Sequence, residues 1–226
     1  MRPAVTRVLS FHADYACRRA GACCTAGWPI AAEARVEAAV RGGLAAGKLR
    51  LPLAGATPFV RAPDGGPTLL GHDDRGRCAF FVAGDANACA IHRDLGHEWL
   101  PLACRQFPRA SLLSPAAVSI TLSHYCPTAA ALLFRDDGVG VEVVESPAAF
   151  PDEGEYEGLD ARAALPLLRP RVFLDWGSHR RWEEHAVATL GREDLSPEAA
   201  LGRLAADAEK ARAWTPARGP MVDWIA

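Results

Sequence analysis

The chain has 226 residues, 50% hydrophobic and 23% charged, the balance of a folded globular protein rather than a disordered one. A formal net charge of -2 and a pI near 6.4 exert no global pull toward nucleic acid or anionic membrane, and basic residues do not cluster among aromatics. The opening stretch lacks the apolar core of a signal peptide, and runs such as residues 129–134 fall well short of the roughly 20 residues of a membrane span. A cytoplasmic, reducing location with no nucleic-acid or membrane partner is expected. There, seven cysteines, an odd number, are not read as a disulfide framework.

All seven cysteines fall between positions 17 and 126. Along the chain, the apolar positions Ile30, Val36, Val40 and Leu44 predict a helix over residues 30–46, stopped by Gly47. Residues 52–77, rich in Gly, Pro and Asp, read as loop with a short strand near Leu69. Two β-like pieces begin at Cys78 and Cys89, separated by turn chemistry, and predict an irregular hairpin that brings those thiols together. A short helix over residues 93–100, a strand over 118–122, a helix from Pro127 to near Arg135 and a strand over 139–145 follow. Residues 151–160 read as an acidic linker. Helices are expected over 161–168, 172–190 and 197–214, the last started by Ser196 as N-cap, Pro197 in its first turn and Glu198 against the dipole.

Cys17, Cys23 and Cys24 lie within one short segment beside Arg18, Arg19 and Gly21, and so can wrap a metal centre at small loop-closure cost. Cys78, Cys89 and Cys104 form a second group, and Cys126, followed by Pro127, is a further candidate. Thiolates pooled from both groups suit zinc or an iron–sulfur cluster. Adjacent Cys23 and Cys24 reach two irons of a cluster more easily than one tetrahedral zinc, and that tips the reading toward the cluster. Buried free cysteines packing as small hydrophobes are the plainer reading of each one singly. His92, His97 and His124 lie near these cysteines as ligands or as structural histidines, and Arg105 and Arg109 as partners of thiolates or of an anionic substrate. Asp94, Glu98 and Trp99 can share a face with the ligand loop or serve only as cap and packing residues. Trp176, Trp182 and Trp214 read as core anchors. Glu183, Glu184 and His185 lack the second histidine of a zinc-protease motif.

The ordered elements Cys17-Arg-Arg-Ala20-Gly21-Ala-Cys23-Cys24, Cys78-Ala-Phe-Phe, Cys89-Ala-Ile-His92 and Cys104-Arg105-Gln-Phe107-Pro108-Arg109 resemble the YkgJ-like cysteine-cluster family of zinc- or iron-chelating domains. The resemblance covers about residues 11–135 and implies that these cysteines hold metal. Ala20 stands where that family's box has its second cysteine, and Cys126 is the substitute to test. Gly27-Trp28-Pro-Ile30 and His92-Arg-Asp-Leu-Gly also resemble flagellin lysine-N-methylases. That likeness implies a [4Fe-4S] or related cluster, S-adenosylmethionine and a protein-lysine substrate, although no Gly-rich nucleotide fingerprint follows a strand.

The expectation is therefore a helix-rich α+β fold. Residues 11–135 form an irregular, cysteine-stapled metal-binding region with short strands, and residues 136–226 a helical extension packed on it. The metal site comprises Cys17, Cys23, Cys24, Cys78, Cys89, Cys104 and Cys126. Metal or cluster binding leads, with a lysine methyltransferase or a thiol redox or metal-handling protein as alternatives.

Overall fold

In the computed structural model, which describes residues 5–53, 55–84, 89–135, 140–145 and 158–225, the chain folds as α+β. Strand β1 (Val5–Leu9) leads into a single-turn helix α1 (Ser10–Ala13), and a second single turn, α2 (Ala22–Thr25), carries Cys23 and Cys24. The first long helix is α3 (Ala34–Ala45). A small antiparallel pair, β2 (Phe59–Arg61) and β3 (Thr68–Leu70), precedes two short helices, α4 (Ala90–Asp94) and α5 (Leu102–Gln106). Strands β4 (Arg109–Leu113) and β5 (Ala117–Leu122) then form a hairpin, followed by α6 (Pro127–Ala131). Four short strands, β6 (Val143–Glu145), β7 (Gly158–Asp160), β8 (Leu167–Arg169) and β9 (Val172–Phe173), lead to the long helices α7 (Trp176–Leu190) and α8 (Pro197–Ala211).

A five-stranded sheet in the order β6-β1-β5-β4-β7 organises one half of the fold. At its centre β1 runs parallel to β5, Val5 opposite Ala117, and β5 runs antiparallel to β4. Parallel neighbours need a long crossover, and here the crossover carries six of the seven cysteines, Cys126 following β5. Val8, Leu113, Val118 and Ile120 bury one face. The sheet draws strands from both sides of position 135, since β6 and β7 add to its two edges.

The crossover has its own apolar core. Val36 and Val40, one helical turn apart on α3, pack with Leu49, Phe59, Phe80, Ile91 and Leu100. Gly47 ends this helix segment with φ +67, a conformation that L side chains rarely adopt. All seven cysteines are free. Apolar packing holds the region together in the structure, and the expected stapling by metal-bound cysteines finds no support there, since among the described residues no group of three or more His, Cys, Asp or Glu is set to hold a metal ion.

Several expected elements are corrected. Residues 30–33 are not helical; Ile30 accepts from the Leu70 amide and Ala31 bridges Leu69, so α3 starts at Ala34. The loop 52–77 holds two strands instead of one. The Cys78 and Cys89 pieces meet through a single bridge, Phe81 to Cys89, while Cys78 itself bridges back to His72, and the chain turns helical at Ala90 rather than continuing as strand. The helix expected over 93–100 is split, because Asp94 ends α4 and a 3-10 turn spans His97–Trp99. Residues 161–168 are not a helix either. Pro166 and Pro170 lack amide donors, and the chain makes the β8–β9 hairpin around Arg171 at φ 70. Residues 158–160, expected as linker, pair as β7 with β4, while 151–157, like position 139, lie outside the described residues.

The C-terminal helices are close to expectation. Ser196 caps α8 by accepting from the Ala199 amide, and Asp175 caps α7 by accepting from Ser178. Their core is Val172, Leu174, Ala211, Met221 and Ile225, with Trp182 and Trp214 packed against it. An ion pair of 2.6 Å between Arg7 and Glu183 ties α7 to β1. Among the described residues no helix is long and apolar enough to cross a membrane.

Candidate functional site: a thiol-lined pocket

Six cysteines, Cys17, Cys23, Cys24, Cys78, Cys89 and Cys104, line one pocket of about 280 Å³. They arrive from four separate pieces of chain, and backbone hydrogen bonds between those pieces bring them together. The Cys78 amide donates to the Cys24 carbonyl at 2.8 Å, and the Ala90 amide donates to Phe80 at 2.8 Å. Gly21, at φ +76, turns the box into α2 so that Cys23 and Cys24 face the pocket together. Cys104 enters from α5.

The sulfurs are already electrostatically coupled. Cys23 and Cys24 Sγ stand 3.9 Å apart, and Cys24 also bonds to Cys89. With Cys24 as the shared donor, the Cys23 thiol is pulled down to about 7, chiefly by that hydrogen bond. Cys89 is lowered by the same partner, while Cys24 itself is pushed up. Burial raises Cys78 to about 12 and raises Cys104 as well. The thiolate form is thus favoured at Cys23 and Cys89 and disfavoured at Cys24, Cys78 and Cys104.

Backbone donors follow a repeated pattern. The Arg19 amide donates to Cys17 Sγ at 3.3 Å, Phe80 donates to Cys78, and Ile91 and His92 donate to Cys89. In each case an amide two residues beyond the cysteine serves its sulfur. Arg19 adopts φ 56 to do so, a left-handed conformation that costs a residue other than glycine about 1–2 kcal/mol. Amides aimed at sulfur favour thiolate over thiol, and such bonds tune thiolate-bound metal centres.

Cys23, Cys24 and Cys89 hold their sulfurs in a hydrogen-bonded row. Among the described residues no group of three or more His, Cys, Asp or Glu side chains is set to hold a metal ion. Ligands of one tetrahedral zinc sit close together, all about 2.3 Å from the metal, whereas a cluster takes each thiolate at a different iron and so from more widely spaced positions. The donor set is soft and rich in N–H···S bonds, which suits either centre chemically, and the 3.9 Å between Cys23 and Cys24 Sγ is close to the separation of two thiolates on one tetrahedral metal.

Cys126 is not among the pocket residues. It is buried with Leu122 and Ala129, and its Sγ lies 3.5 Å from Tyr15 Oη, so the structure does not bring it into the place left by Ala20. His92 lines the pocket, but His97 does not and instead meets the His92 ring edge-on at 5.6 Å. His124 lies elsewhere, its Nε2 3.3 Å from that of His12. Arg109 lines the pocket with its guanidinium over the Tyr15 ring, whereas Arg105 does not line it. Asp94 pairs with Arg93 and Trp99 packs on the apolar core, the cap and packing roles.

His72 was missed in the sequence. It reaches the pocket because Asp73 accepts from the Arg75 and Arg77 amides, and this tight turn folds His72 back onto Cys78. The Asp-Asp-Arg-Gly-Arg turn chemistry between His72 and Cys78 was the available signal.

No family model matches the chain, and comparisons with curated proteins and with solved structures find no match either.

Proposed function

We propose that the chain binds a metal centre through thiolates of Cys23, Cys24, Cys78, Cys89 and Cys104, with Cys17 at the pocket's edge, and that this centre is an iron–sulfur cluster rather than a single zinc. One observation carries the reading: six thiols from four chain segments face one pocket, and backbone amides are aimed at four of them. Buried cysteines that served only as small hydrophobes would need no such donors. The order of the motifs along the chain, similar to that of the YkgJ-like family, supports the same reading. The cluster is put ahead of zinc on the adjacency of Cys23 and Cys24 in the chain, a run that reaches two irons more readily than one zinc. Such a centre supplies electron transfer or a covalent tie between segments, and the residues here would hold it, donate to its sulfurs and shield it from water. A reducing compartment such as the cytoplasm fits seven free thiols.

Anaerobic purification with metal and sulfide analysis and a visible spectrum tests this. A brown protein containing iron and acid-labile sulfide is expected. A colourless protein with stoichiometric zinc overturns the cluster, and a protein that retains neither metal and refolds regardless of chelators overturns metal binding altogether. The lysine-methylase alternative requires calorimetric heat on addition of S-adenosylmethionine, and a flat titration sinks it.

A further inference from the structure

The pocket is chemically more varied than a sulfur-bound centre needs. Besides the thiols it is lined by Trp28, Ile30, Phe80, Phe107 and other apolar side chains, and by Arg19 and Arg109. Ligand pockets typically enclose about 300–1,000 Å³, are mostly apolar, and carry a few convergent polar groups. This one, at about 280 Å³, lies just below that range and has that make-up. It lies where two cores meet: the thiol region's core contributes Cys78 and Phe80, and Phe107 packs against the separate cluster around Tyr15 and Leu122.

Its lining carries fixed positive charge, and the negative charge it can hold is that of its thiolates. Among the described residues lining it there is no carboxylate, whereas two guanidinium groups are present. Both are placed by other contacts. Arg109 lies over the Tyr15 ring at 5.2 Å, and Arg19 sits on a backbone fixed at φ 56. The aromatic lining is likewise built. Trp28 meets the Phe107 ring edge-on at 5.1 Å, and Tyr125 meets Trp28 at 6.1 Å. An arginine binds a carboxylate, sulfonate or phosphate through its planar fork, and a flat ring packs on Trp and Phe.

We propose that the pocket binds a small, flat organic anion beside the metal centre, its acidic group held by Arg19 and Arg109 and its ring against Trp28 and Phe107. The proposal rests on the metal reading only for what occupies the sulfur-lined part of the pocket. If the arginines instead serve only to balance thiolate charge, they govern metal retention and not anion binding.

The full-length protein as isolated is titrated with 8-anilinonaphthalene-1-sulfonate and, in parallel, with its uncharged counterpart N-phenyl-1-naphthylamine, with metal measured in every sample. The sulfonate is expected to saturate a single site and to bind about ten-fold more tightly than the uncharged probe. Arg19→Gln and Arg109→Gln are each expected to weaken it about five-fold or more, leaving the uncharged probe unaffected, while Arg19→Lys keeps part of the affinity. Far-UV circular dichroism checks each variant, and if Arg109→Gln fails to fold, exposed Arg19 decides the matter. Equal binding of both probes, or sulfonate binding indifferent to Arg19→Gln, overturns the proposal while retained metal leaves the metal reading standing. Arginine-dependent sulfonate binding in a protein that never holds metal does the reverse.

Discussion

Two parts of this molecule are held together in different ways. The region carrying the thiol pocket is mostly turns and short helices, and its geometry depends on bonds between remote segments, such as Cys78 to Cys24 and Ala90 to Phe80. The α7–α8 pair is held by local chemistry: caps at Asp175 and Ser196, and i,i+3 or i,i+4 ion pairs such as Arg180–Glu184 and Lys210–Asp207. Local contacts of this kind are individually small and nearly independent, so losing one leaves the rest. In the pocket, each segment is located by the others, and one altered residue moves several.

The sharpest break in that comparison is at the sulfurs. Cys24→Ser or Cys89→Ser should reduce metal per chain to below about a tenth of the parent value, because one thiol is the shared donor and the other a favoured thiolate. Cys126→Ser should leave metal content unchanged, since that thiol faces Tyr15 outside the pocket. Equal losses in all three variants would contradict this assignment.

Next in size is the apolar support beneath the pocket. Phe80 is fully buried and contacts the pocket as well as the core, so Phe80→Ala should cost about 3–5 kcal/mol in denaturant unfolding. Metal retention should fall with it. A cost below about 1 kcal/mol would mean the region's packing is looser than the structure has it.

A smaller effect marks the edge of the sheet half. Buried His12 is held at about 4, first by burial and then by nearby His124. Its folded value lies below its ordinary 6.5, so the unfolded chain takes up the proton more readily. The stabilisation is fully present above about pH 6.5 and is lost as pH falls toward about 4, by up to about 3 kcal/mol. Stability measured across that window should flatten in His12→Gln. An unchanged slope would remove His12 as its cause.

The smallest change is expected in the helical pair. Ser196→Ala should lose about 1 kcal/mol and Ser196→Asp should restore it, with metal content untouched in both. A loss of metal from this substitution would show that the two regions are coupled after all.

The sequence by itself determined what local chemistry encodes. Ser196-Pro197-Glu198 announced α8, Gly47 the end of α3, and the alternation near Val118 the strand β5. It also announced the grouping of thiols in the box and near Cys78 and Cys89. Only the tertiary structure decided how those groups meet. β1 was invisible beforehand because its partner, β5, lies beyond the entire crossover, and no local signal reports so distant a pairing. The same holds for the pocket: the place of Cys126 behind Tyr15 rather than in the lining, the inclusion of His72, and the company of Arg19 and Arg109 follow from contacts between segments. A thiol's chemistry is written in its residue type and its neighbours in sequence, but its partners are set by where the chain returns.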